Sequence, residues 1–117
     1  MKRNYRLTRS NDFQRVKQTG KSHAHPLIVL IKMPNPDGLL RIGVSAGKAV
    51  GNAVTRNRAK RRMRASLSEL MENIQPGWDL VFLARKPIVD AAYQEILAAE
   101  IHLLKRAGLF LEESAGE

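Results

Sequence analysis

Cysteine is absent from the 117 residues, which excludes a disulfide framework and thiolate metal sites and agrees with synthesis in a reducing compartment. The longest uninterrupted aliphatic run, Leu27 to Ile31, falls far short of a membrane span. The basic start Met1-Lys2-Arg3-Asn4-Tyr5-Arg6 is not followed by the apolar core of a secretory signal. The expected address is therefore cytoplasmic, with no membrane partner. Internal repeats and low-complexity segments are missing too. A chain of 117 residues with 44% hydrophobic content is long enough for one domain with its own core and too short for two. We read residues 1–110 as that domain and 111–117 as a disordered tail.

The equipment of an independent nuclease is also wanting. Such an enzyme needs a metal-binding carboxylate set or a pair of histidines able to move protons. His23 and His25 flank Ala24 with no third ligand in view, and His102 has no obvious partner. Gly43-Val44-Ser45-Ala46-Gly47-Lys48 has one residue too few between its glycines for a phosphate loop, and Ala49 stands where Ser or Thr would bind magnesium. No catalytic residue and no metal site is predicted.

What the sequence does have is positive charge, +9 with an isoelectric point near 10.5. On a small domain a surplus of that size implies a polyanionic partner. Its distribution is segregated. Residues 1–37 carry eight Lys and Arg against two acids, residues 38–68 eight against none, and residues 69–117 four against nine. An ordinary solubilising surface mixes the two signs. No segment pairs a basic face with exposed Trp, Phe and Leu, so nucleic acid is favoured over a membrane surface.

The pattern of elements runs α, β, β, α, β, α. Ser10 is a candidate N-cap for a first helix closed by Gly20. Leu27 to Met33 forms a strand, stopped by the turn Pro34-Asn35-Pro36-Asp37-Gly38. Leu39 to Ala46 alternates, with Leu40, Ile42, Val44 and Ala46 on one face, and predicts a second strand hairpinned to the first. Asn52 caps a long helix to about Asn73, before Pro76-Gly77. Trp78 to Ala84 is apolar except for Asp79, as expected of a strand covered on both faces. Asp90 then caps a last helix to about Arg106, ended by Gly108.

At about 100° per residue, Ala59, Met63, Leu67, Leu70 and Ile74 share one sector of the central helix, which must face the sheet. Asn57, Lys60, Arg61 and Arg64 form a second stripe beside it, and Arg58 and Arg62 a third on the side away from the core. Arg56 lies in the first turn, on the side of the buried stripe. Seven cations stand between Lys48 and Arg64 with no acid among them. Like charges at these spacings destabilise an isolated helix, so an external anion is implied. Arginine is favoured, and its planar fork matches phosphate oxygens. Asn57 adds a group that donates and accepts, suited to a sugar hydroxyl or base edge.

Gly51-Asn52-Ala53-Val54-Thr55-Arg56-Asn57-Arg58-Ala59-Lys60-Arg61-Arg62-Met63-Arg64 resembles the signature of the bacterial ribonuclease P protein component. The likeness extends to Arg6-Leu7, Asn11-Asp12-Phe13, Arg41-Ile42-Gly43-Val44-Ser45 and Ala84-Arg85-Lys86-Pro87, in order along the chain. The resemblance implies a two-layer α/β sandwich of order αββαβα, with a small mixed sheet and a left-handed βαβ crossover. It implies the protein cofactor of an endoribonuclease, in which a separate catalytic RNA cleaves precursor tRNA with magnesium to release the 5′ leader. The implied RNA contacts are Lys48, Arg56, Asn57, Arg58, Lys60, Arg61, Arg62 and Arg64. The implied cleft for the single-stranded leader falls at Phe13, Lys17, Ile31 and Phe110, with Lys17 and Ile31 where the family often has aromatics. The other reading of the charge pattern is a ribosomal or other structural RNA-binding protein, and a more distant one is a protein-only nuclease.

Overall fold

Among the described residues four strands are present where the sequence predicts three. The computed structural model describes residues 5–112, so the predicted tail lies mostly outside the described residues. Within them Leu111 is still tied to Asn73, its N–H donating to the Asn73 carbonyl at 2.6 Å. Helix α1 is Ser10–Thr19, followed by strands β1 (Lys21–Ala24), β2 (Ile28–Pro34) and β3 (Leu40–Ala46). Helix α2 (Ala53–Ser68), a 3-10 turn at Met71–Asn73 and strand β4 (Trp78–Ala84) come next. A second 3-10 turn at Lys86–Asp90 leads to helix α3 (Tyr93–Arg106). The unpredicted strand, β1, pairs among the described residues with β2 alone and is largely exposed. An edge strand of this kind carries little apolar alternation for a periodicity to register.

The predicted hairpin between β2 and β3 does not form. The sheet order is β1-β2-β4-β3, with β4 antiparallel to β2 and parallel to β3. Burial supplies the reason. Asp79, Leu80, Val81 and Phe82 of β4 are all buried, and a strand with two buried faces belongs in the middle of a sheet. The proline-rich turn supports the insertion. Asn35 N–H donates to the Gly77 carbonyl (3.0 Å) and Gly77 N–H to the Leu39 carbonyl (2.9 Å), so the entry to β4 is stitched between the two strands. Helix α2 is the crossover between the parallel neighbours β3 and β4.

Strand alternation sorts the core into two clusters. Ile28, Leu30, Leu40, Ile42, Val44, Leu80 and Phe82 meet Met63 and Leu67 of α2 and Ile96, Leu103 and Leu104 of α3. Ile31 and Val81 point the other way and meet Leu7 and Val16. The sheet with α2 and α3 makes the two expected layers, and the short α1 adds cover on the opposite face. A buried carboxylate pins that cover. Asp79 accepts from Arg15 Nη2 of α1 (2.8 Å), Arg41 Nε of β3 (2.9 Å) and Asn35 Nδ2 (3.2 Å). The bond to Asp79 raises the Arg15 pKa above its ordinary value. A buried charge left without such partners would be strongly destabilising.

Three helix boundaries differ from expectation. Arg9, not Ser10, is the N-cap of α1, and no side chain caps it. Helix α2 ends at Ser68, so Leu70 and Ile74 reach the core from beyond it. Asp90 closes a 3-10 turn and does not cap α3, whose Glu95 Oε1 accepts from Ala92 N–H at 2.7 Å.

Candidate RNA interface

Asn52 caps α2 as expected, its Oδ1 accepting from Thr55 N–H at 2.9 Å. The buried stripe is also as expected: Ala59, Met63 and Leu67 are at most 4% exposed. With the rotation set by those residues, Asn57, Arg58 and Arg61 are exposed and Arg56, Lys60 and Arg64 half-buried. Lys48 is exposed on the turn closed by Val50 N–H donating to the Gly47 carbonyl. Among the described residues no carboxylate pairs with any cation of α2. The first acid after them, Glu69, accepts from the Tyr93 hydroxyl, whose pKa this bond pushes up to about 12.

Arg62 departs from the predicted stripe. Its Nη2 donates to the Ala91 carbonyl at 2.6 Å and its Nη1 lies 3.5 Å from the Ile88 carbonyl. The fork therefore ties α2 to the turn before α3 and is not free to grip phosphate. The helical period assigns Arg62 to the side away from the core, but in the fold that side meets the turn before α3.

Helices α1 and α2 flank the outer edge of β3. Beyond the bridge between Arg6 and Ile42, no described strand pairs with that edge. A groove of about 270 Å³ opens there among Arg6, Thr8, Phe13, Val44, Lys60 and Arg64. A neighbouring hollow of about 360 Å³ shares Phe13 and Lys60 and continues past Gln14 and Lys17 to Ala46. The Phe13 ring lies against the β3 backbone, which explains Gly43: a Cβ there would sit 2.4 Å from Phe13 Cζ. Burial, together with the nearby Arg6 cation, lowers the Arg64 pKa. Two cations thus converge on one partly desolvated wall, a setting that favours an anion.

The four cleft positions do not come together. Phe13 and Lys17 line the groove, whereas Ile31 is buried under α1 with Val16 and Val81. Phe110 is on the opposite side of the sheet, bridged to Ile74 and packed on the larger core, with Lys105 Nζ 5.3 Å from its ring centre. The sequence reading missed Arg6 and Thr8 as groove residues; Arg6 appeared there only within a short matching motif. It also missed a contact of His102, whose ring meets that of His25 edge-on at 5.6 Å. His25 Nδ1 accepts from Leu27 N–H. Among the described residues no three His, Cys, Asp or Glu side chains are gathered where they could hold a metal, and no helix is long and apolar enough to cross a membrane.

Comparison with known proteins places this geometry in a family. The family model described as Ribonuclease P matches residues 1–108. The ribonuclease P protein component of Bacillus cereus is 41% identical over 110 residues, covering 93% of this chain and 96% of that one. That of Bacillus anthracis is 41% identical, with 93% and 92% covered. Among solved structures, the RNase P protein of Staphylococcus aureus aligns with a TM-score of 0.81 and 34% identity, over 91% of this chain and 97% of that one. The RNase P protein of Thermotoga maritima aligns at 0.78 and 27%, over 86% and 96%. The signature helix, the mixed sheet and these matches agree that the chain belongs to the ribonuclease P protein family, the protein subunit of that endoribonuclease.

Proposed function

We propose that α2 holds the catalytic RNA and that the groove beside it holds the 5′ leader of precursor tRNA. Arg56, Asn57, Arg58, Lys60, Arg61 and Arg64, with Lys48 on the approach turn, are assigned to the catalytic RNA. Lys60 and Arg64 also wall the groove, so the two RNAs would meet at this stripe. In the groove Phe13 offers a ring for base stacking, and Arg6, Lys17, Lys60 and Arg64 offer charge to the backbone. Cleavage is assigned to the RNA subunit with magnesium, and the protein contributes charge and position. An address in the cytoplasm accompanies that substrate. The observation that carries the reading is the groove itself: an aromatic ring and four cations along the outer edge of β3, with no acid among its lining residues.

A structural RNA-binding protein would not need to distinguish a precursor from its product. The holoenzyme should bind precursor tRNA with a leader more tightly than mature tRNA, and equal affinity for both would refute the groove assignment. Added to its catalytic RNA, the protein should allow cleavage at lower magnesium than the RNA alone needs. The purified protein without RNA should leave precursor tRNA intact.

A further inference from the structure

The two parallel strands β3 and β4 end in register, Ala46 beside Ala84. The chain therefore leaves both at the same end of the sheet, through Gly47-Lys48 after β3 and Arg85-Lys86-Pro87 after β4. Helix α2 begins at that end as well. Three basic segments that are distant in sequence converge there. Arg62 strengthens the convergence, because its hold on the Ile88 and Ala91 carbonyls docks the Lys86–Asp90 turn against the third stripe of α2. Among the described residues the cation of that stripe without a carboxylate or carbonyl partner is then Arg58, one helical turn, about 6 Å, nearer the start of α2.

We propose that Lys86 and Arg58, on the side of α2 that Arg62 ties to the Lys86–Asp90 turn, form a second basic arm of the interface with Lys48 at the shared end of the strands, and that this arm binds duplex RNA of the catalytic subunit. The inference rests on the reading that α2 contacts that RNA.

Lys86 is presented from a fixed base. Arg85 N–H donates to the Leu27 carbonyl and Ile88 N–H to the Arg85 carbonyl, both at 2.9 Å, and Ile88 is fully buried. Arg85 Nη1 reaches the His25 carbonyl at 3.3 Å, so this guanidinium is held in place. Lys48, Arg58 and Lys86 are all exposed, and no carboxylate among the described residues pairs with them. The acids that follow in sequence are Asp90, at the far end of the turn, and Glu95, engaged with Ala92 N–H. A base held in advance reduces the ordering that binding would otherwise require. The choice of duplex follows from what is missing: none of the three segments carries an aromatic side chain. Single strands are held by stacking as well as charge, and the groove with Phe13 serves that purpose. Duplex RNA presents its phosphates outward to side chains such as these.

The test is the salt dependence of binding between the full chain and its catalytic RNA. Lys86→Ala should reduce the slope of log affinity against log salt by about 0.9 for the duplex phosphate contact it loses, and Lys86→Arg should restore it. Arg61→Ala, in the second stripe of α2, serves as the reference. If Arg61→Ala lowers the slope and Lys86→Ala does not, the second arm is refuted while the reading of α2 stands. If neither lowers it, the reading of α2 fails as well. If Lys86→Ala weakens binding of a single-stranded RNA of leader length and leaves the catalytic RNA unaffected, the duplex assignment is overturned.

Discussion

Glu100 of α3 is fully buried against Ser66 of α2, and replacing it with glutamine should make the protein more stable at neutral pH. The hydroxyl of Ser66 has one proton and lies 3.0 Å from the Met63 carbonyl. The same hydroxyl donates to Glu100 Oε1, so its single proton is shared between two acceptors. The second carboxyl oxygen has no partner, tolerable for a neutral acid and costly for an anion. Burial accordingly pushes the Glu100 pKa up to about 9, the bond from Ser66 opposing the shift and the charge of Glu69 adding to it. In the unfolded chain the same carboxyl titrates near 4.5. A folded value raised above the unfolded one contributes stability that is complete below pH 4.5 and is lost as pH rises toward 9. By pH 7 the separation is about 2.5 pH units, or about 3 kcal/mol. Glu100→Gln keeps an acceptor for the Ser66 hydroxyl and removes the titration. Its melting temperature should match that of the parent near pH 4 and exceed it by roughly 10 °C at pH 7. His23 and His25, both lowered mainly by burial, give the opposite slope, losing stability as pH falls below the ordinary histidine range. They are common to both proteins and cancel in the difference. Calorimetric melting of the two from pH 4 to 9 makes the comparison, and parallel curves would refute the protonated carboxyl.

Met63 has no exposed surface, and Met63→Ala should cost about 2–5 kcal/mol in chemical denaturation; a negligible change would mean that the rotation of α2 is wrong. Gly43→Ala places a methyl carbon 2.4 Å from Phe13 Cζ, so the ring must move. We expect a loss of about 1–3 kcal/mol and a reduced preference of the holoenzyme for precursor over mature tRNA, and an unchanged preference would argue against a role for Phe13 in the groove. Arg62→Ala removes the donor from the Ala91 carbonyl and should destabilise by about 1–3 kcal/mol. The salt slope of RNA binding should stay as it was, and a fall of a full unit would return Arg62 to the RNA contacts.

Much of this interface is a property of α2 taken locally. The Asn52 cap, the Ala59-Met63-Leu67 stripe and the exposure of Asn57, Arg58 and Arg61 follow from helical period and capping chemistry, which act over a few residues. The double burial of β4 was likewise legible in its apolar run. Periodicity assigns a residue to a face but does not name what lies across from that face. That β4 would separate β2 from β3, that Arg62 would meet the carbonyls of Ile88 and Ala91, and that Asp79 would gather Arg15, Arg41 and Asn35 all depend on partners far away in sequence. So does the cleft. Phe13 and Ile31 belong to elements that pack together, yet one side chain reaches the groove and the other lies beneath α1, while Phe110 ends on the opposite face. Local interactions determined which side chains could bind RNA; long-range strand pairing decided which of them stand together to do so.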